Sequence, residues 1–334
     1  MNPTHSLSNY LRRGFTDRKS RLLSFLSTYK VAEDLFAEIE WKSIACEREF
    51  SEVSQKFKIQ SADKRSPVSN PVFRYLDANP HPAIRTALLF GSLADGTACP
   101  YSDFDGILVI DCSAIKSAVS LLRLRNIIVR SEEMMLATDP LQHHGWHFVL
   151  IDAEQKIVGM DLPCEILEEC KTIHPVHPIE LQIYDTLQPV DPMESYRNTV
   201  ASIRKKLMDQ RTISCLYSFK TLCSEFMLVP ALFLQAMSRP VSKKESFNVI
   251  GSHITSDKLA ALRMVSEWRL NWKKPDINTK IRLFHACKKR GIRLSFLLPA
   301  VPDTLRNSFP GWKTKAEFFL SACDEQLEQH RFQS

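Results

Sequence analysis

Every strand-like run in this chain of 334 residues falls before Pro189, and every strongly periodic segment after it is helical. Residues 87–90 and 104–110 are short apolar runs, the second rich in β-branched side chains, and 146–151 is a third. Residues 157–160 are predicted to return against 146–151 as a hairpin, with Ala153, Glu154, Gln155 and Lys156 in the turn. Helical spacing covers 113–136 between them. Beyond Pro189 the apolar positions recur at three- and four-residue steps, as in Tyr196, Val200, Ile203 and Leu207, or Ala316, Phe319, Cys323 and Leu327. Segregated strands and helices of this kind predict an α+β fold. We expect a small mixed-sheet core at 71–188 and a basic helical-bundle domain at 189–334. Ahead of them, 1–58 reads as a helical segment in which 21–50 form one long amphipathic helix on Leu22, Phe25, Leu26, Tyr29, Phe36 and Ile39. The polar stretch 59–70 reads as a linker.

Glycine is scarce, at 9 residues. No two are separated by a single residue, so the G-x-G-x-x-G dinucleotide fingerprint is excluded, and no Gly-Lys pair exists to build a P-loop. Charge is unevenly spread: the total is 44 Lys and Arg against 38 Asp and Glu, yet the excess of base lies after residue 200. That basic half suits a phosphate-bearing partner or forms a solvated surface. The 9 cysteines lack C-x-x-C spacing, which predicts free thiols in a reducing, cytoplasmic setting. The N-terminus has no apolar core of a signal peptide; Arg12, Arg13, Arg18, Lys19 and Arg21 suit an exposed helix entrance or a transit segment. The apolar stretch 215–237 carries Lys220, Glu225 and Pro230, and reads as a buried helix pair rather than a membrane span.

The chemistry concentrates in 88–110. An apolar run ends in Gly91-Ser92, and Asp103 and Asp105 stand two apart in the next strand-like run. In an extended chain those carboxylates project from one face. Adjacent carboxylates repel unless a cation lies between them, and a hydrated Mg²⁺ completed by substrate phosphates answers that need. Gly91 permits close backbone approach to a phosphate, Ser92 adds a hydroxyl, and the following Ser-Leu-Ala can open a helix whose N–H groups face the same anion.

This arrangement resembles the signature of the nucleotidyltransferase superfamily related to DNA polymerase β: strand, Gly-Ser, spacer, then Asp-x-Asp in the next strand, here Ser102-Asp103-Phe104-Asp105. The resemblance covers about 70–165. More loosely, 228–247 is similar to the bundle segment of aminoglycoside adenylyltransferase-like proteins, with Ser242 as N-cap and Glu245 closing a capping box. It implies a metal-dependent enzyme moving a nucleoside monophosphate from an NTP, ATP above others, onto a hydroxyl or phosphate acceptor. Asp103 and Asp105 would hold Mg²⁺ or Mn²⁺, Gly91 and Ser92 would grip phosphates, and Lys243 or Lys244 would reach the β- or γ-phosphate.

The chain departs from that superfamily in lacking an acid within 146–151, where a third carboxylate is expected. His147, Asp152 or Asp161 could fill the role, or the protein is a degenerate nucleotide-binding module. His143, His144, His147, His174 and His177, with Cys164 and Cys170, also admit a Zn²⁺ site, although their spacings match no common structural zinc pattern. Trp268, Trp272, Phe284, Phe296 and Trp312 are interleaved with Lys and Arg; their helical spacing favours core packing over base stacking. The acceptor stays open between a small molecule, slightly favoured by the bundle resemblance, an RNA 3′ end and a protein. No membrane partner is expected.

Overall fold

The computed structural model describes residues 7, 10, 11, 53–61, 71–160, 162, 166–175, 177–184, 191–239, 241–289 and 294–333. The long helix expected at 21–50 lies outside them. The chain divides into two units, Met1–Gln188 with Asp276–Leu294, and Pro189–Pro275 with Ser295–Ser334.

The first unit is built on a seven-stranded mixed sheet in the order β5-β4-β3-β2-β6-β1-β7. Its strands are β1 Val53–Ser61, β2 Ile84–Leu89, β3 Gly106–Asp111, β4 His147–Ile151, β5 Ile157–Met160, β6 Lys171–His174 and β7 Ile179–Tyr184. The antiparallel β2–β3 and β4–β5 pairs and the parallel β3–β4 pair form one half. β6 joins β2 antiparallel and β1 parallel, and β7 closes the row antiparallel to β1.

Three of these strands correct the sequence reading. The sequence pattern puts residues 53–58 in the helical segment and 59–61 in the linker, yet Val53–Ser61 is one strand. Phe57 and Ile59 are buried while Lys56 and Lys58 are exposed, the alternation of a half-buried strand. β6 and β7 also went unread; β6 has only four residues, and its pairing with β2 and β1 comes from distant sequence.

Each face of the sheet has its own core. On one, Leu108, Ile110, Phe148 and Leu150 pack against helices α1 Pro71–Ala78 and α3 Ala118–Met135, through Phe73, Leu76, Leu121, Leu124 and Ile128. Leu7, Tyr10 and Leu11, at helical spacing, join this layer, with the Arg125 guanidinium 5.5 Å above the Tyr10 ring. On the other face Ile107, Val109, Val149 and Ile151 meet Phe57, Ile59, Leu181 and Ile183 from the opposite end of the strand order. Strands at both ends of one sheet share a core only because the sheet curls. A bridge between Lys156 and Gln182 marks where its edges approach.

The second unit is helical among its described residues, and its stripes are buried as the periodicity predicts. Tyr196, Val200, Ile203 and Leu207 face inward from Pro192–Met208. Trp312, on the 31-residue helix Asp303–Gln333, is fully buried; its ring meets Phe226 at 5.1 Å and Trp268 at 5.5 Å. Its indole N–H donates to the Ala261 carbonyl at 3.1 Å, so the one polar atom of that side chain is satisfied. Trp272 is buried too, whereas Phe296 is exposed. Leu216–Ala236 is apolar and long enough to span a membrane by length and composition, but most of it is buried, and it is broken into two helices at Met227 and Leu228. The cysteines among the described residues are free thiols; burial pushes Cys112 and Cys170 up to about 12.

Candidate functional site

The β2–β3 pair brings Gly91 and the Asp-x-Asp run together. Leu89 pairs with Gly106, and the ladder runs one step further, with the Phe90 N–H donating to the Asp105 carbonyl at 3.1 Å. Gly91 then turns the chain with φ +65°, in the left-handed region open to glycine. A β-carbon at Gly91 would stand 2.6 Å from Asp105 Oδ2, so the carboxylate occupies the space that glycine leaves. The helix expected after Gly91 forms as α2, Gly91–Asp95, closed by Gly96 at φ +76°. It is barely more than one turn long, so it contributes unpaired N–H groups rather than a substantial dipole. Lys171 Nζ on β6 donates to the Ala94 carbonyl at 2.5 Å and holds the end of that turn.

Ser92 Oγ donates to Ser102 Oγ at 2.9 Å, and Ser102 Oγ accepts from the Cys99 N–H at 3.0 Å. The serine proposed for phosphate contact thus also closes the spacer loop, tying residue 92 to residue 102 immediately before Asp103.

Burial alternates along Asp103, Phe104 and Asp105. Phe104 is buried in the α1/α3 layer against Trp146 and Phe73, while both aspartates are only half-buried. The two carboxylates therefore leave on the sheet face opposite Phe104. The backbone of Phe104 is held by a side chain: Gln142 Oε1 accepts its N–H at 2.9 Å, and Gln142 Nε2 donates to its carbonyl at 2.7 Å. The same Nε2 donates to the His144 carbonyl at 2.9 Å. His143 Nδ1 lies 3.8 Å from Asp103 Oδ2, and the His143 side chain is almost wholly buried.

His147 opens β4 opposite Ile107 in the parallel register, on the face that carries Asp105. Its ring lies 5.8 Å from the Phe90 ring and 5.8 Å from that of His144. Asp152 is placed elsewhere. It follows Ile151, which pairs with Asp111 at the far end of β3, and its Oδ1 accepts the Glu154 and Lys156 N–H groups of the hairpin turn. Asp161 lies outside the described residues. β4 and β6 are separated in the sheet by β3 and β2, so His147 and His174 cannot share one tetrahedral zinc. His174 instead pairs with Asp77 at 2.5 Å. Lys243 and Lys244 are exposed at the start of Lys243–Val249 in the second unit, where Ser242 Oγ accepts the Glu245 N–H at 3.2 Å.

Sequence reasoning missed what holds the 139–147 loop. Asp276–Leu294 returns to the first unit, and its helix Thr279–Lys289 reaches that loop. The His285 Nε2–H donates to the Pro140 carbonyl at 2.9 Å, and Lys288 Nζ to the His143 carbonyl at 2.7 Å. Phe284, read among the aromatics of a basic domain, is buried on this helix. Helical periodicity reveals the helix but not the unit it joins.

Two half-buried carboxylates on one face, beside a glycine that leaves room for one of them, are a donor set for a hard divalent cation. Among the described residues no group of three or more His, Cys, Asp and Glu is arranged to hold a metal ion by protein ligands alone. The carboxylate pair fits an ion that completes its coordination with water and substrate oxygens, as Mg²⁺ does. Compared with family models, with curated proteins and with solved structures, the chain matches none.

Proposed function

We propose that the protein is a metal-dependent nucleotidyltransferase, transferring a nucleoside monophosphate from an NTP, ATP above others, to an acceptor. The observation that carries this reading is the Asp105 carboxylate seated against Gly91, with Asp103 on the same face of the extended chain. Asp103 and Asp105 hold Mg²⁺ or Mn²⁺, which when bound supplies charge neutralisation for a triphosphate. Gly91 offers its backbone to phosphate oxygens, and Ser92 offers its hydroxyl. His147, on the same face, is placed to accept a proton from an attacking hydroxyl, the task a neutral imidazole performs near neutral pH.

The test is incubation with α-labelled NTPs, Mg²⁺ or Mn²⁺ and candidate acceptors. Label should enter an acceptor with the wild type and fall at least a hundredfold with Asp103→Asn or Asp105→Asn, an effect of the size typical for lost transition-state charge stabilisation. Both side chains are partly exposed, so thermal melting should stay near wild type. Full transfer by either variant would refute the metal-pair assignment. The acceptor class is read from salt: binding of an RNA 3′ end weakens steeply as salt rises, and that of a small acceptor does not. NTP binding without pyrophosphate release under every acceptor, small molecule, RNA or protein, would instead mark a non-catalytic nucleotide-binding module.

A further inference from the structure

Among the described residues no strand flanks the Asp-x-Asp run on one side at Phe104, where β3 has not yet begun, and a glutamine side chain takes that place. Gln142 is buried, and its amide makes the two hydrogen bonds that a neighbouring backbone would make to the N–H and carbonyl of Phe104. A primary amide matches a peptide unit in donor and acceptor geometry, so no shorter or singly functional side chain reproduces both contacts. Phe104 is the residue between the two carboxylates, and its ring is wedged against Trp146 and Phe73 on the opposite face. Phe104, between the two carboxylates, is thus held both at its ring and at its backbone.

Gln142 is itself anchored. Its Nε2 also donates to the His144 carbonyl, and the loop around it is held from outside by His285 on Pro140 and Lys288 on His143. Leu141, next to it, is fully buried. The restraint on the carboxylate pair thus runs from the returning helix Thr279–Lys289, through residues 140–144, to Phe104.

We infer that Gln142 is the positioning residue of the Asp103/Asp105 pair, setting the affinity of that pair for a divalent cation without touching the cation. The inference rests on the metal-pair reading given above. Preorganised ligands bind more tightly because the cost of ordering them is met by the fold.

The full-length protein is titrated with Mn²⁺, free ion being followed by electron paramagnetic resonance, and amide exchange is measured over 101–106. Gln142→Leu should weaken Mn²⁺ binding at least tenfold and accelerate exchange at Phe104, with exchange in the centres of β3 and β4 unchanged. Gln142→Met keeps the length and bulk of the side chain and loses both hydrogen bonds without adding charge; it should match Gln142→Leu in both readouts. It also serves as the folded comparison where the leucine variant does not fold. Faster exchange with Mn²⁺ affinity within twofold of wild type would overturn the positioning role, as would unchanged exchange at Phe104. A wild-type protein that binds Mn²⁺ no better than Asp103→Asn would overturn the metal-pair reading and this inference with it.

Discussion

At Gly91 two separate demands meet in one residue. Its φ of +65° is costly for any side chain, and a β-carbon there would lie 2.6 Å from Asp105 Oδ2. The first demand is a matter of stability, the second of function, because a carboxylate can swing aside where backbone cannot. Gly91→Ala should therefore lose about 1–2 kcal/mol of stability from the left-handed backbone alone. It should also lose divalent-ion binding out of proportion, since Asp105 must move; urea melts and a Mn²⁺ titration on the same sample separate the two. His81 shows a different kind of residue-level control. It is buried, its Nδ1 accepts the Ala83 N–H at 3.1 Å, and its Nε2–H meets the Ser120 carbonyl at 3.1 Å. Nδ1, as an acceptor, requires the neutral ring, whereas the Nε2–H bond can be made by either form. Burial, helped by the nearby Arg123 charge, holds its pKa below the ordinary value against the opposing Ser120 bond. Below about pH 6.5 the unfolded chain binds a proton that the folded protein refuses, so stability falls as pH drops through that window. Urea midpoints at about pH 7.5 and about pH 5.5 should show this slope, and His81→Asn should flatten it.

Among the elements, β3 depends on a glycine for a packing reason rather than a conformational one. A β-carbon on Gly106 would stand 2.5 Å from the Trp146 ring and 2.6 Å from the Phe104 ring. Those rings are locked edge to face at 5.5 Å, and the Trp146 indole N–H donates to Ser131 Oγ at 2.7 Å, so neither can retreat. Glu132, buried beside them, accepts the Trp146 N–H at 3.1 Å and fixes the entry to β4 from α3. Gly106→Ala should be destabilised by about 1–3 kcal/mol or more, the cost of overpacking a rigid core. Thermal melting with near-ultraviolet circular dichroism checks it, because the tryptophan environment must shift as well. This α3–β4 anchor holds the loop between them, which is buried at both ends through Leu136 and Trp146 and carries Gln142 just ahead of His147.

Across the whole molecule, what could be read from the sequence was local and what could not was pairing. The β2, β3, β4 and β5 segments were legible because each is an apolar run bounded by turn residues, and the helical stripes because their period survives in any surroundings. Asp103, Asp105, Gly91 and Ser92 were legible as candidates because the chemistry sits within fifteen consecutive residues. β1 was not, since Lys56 and Lys58 dilute its apolar content and its partners, β6 and β7, lie more than a hundred residues away. Nor was Gln142, an ordinary polar residue in sequence, whose importance is wholly its contact with Phe104, 38 positions earlier. The return of Asp276–Leu294 to the first unit was equally hidden, because amphipathic periodicity states that a helix has a buried face and not what buries it. The sequence by itself determined the strands β2 to β5 and the helical stripes, through the period of their apolar residues. It also set a carboxylate pair after a Gly-Ser turn. Only the tertiary structure decided that the sheet curls through seven strands and that a glutamine and a returning helix hold the pair, since such contacts join residues whose proximity no local periodicity encodes.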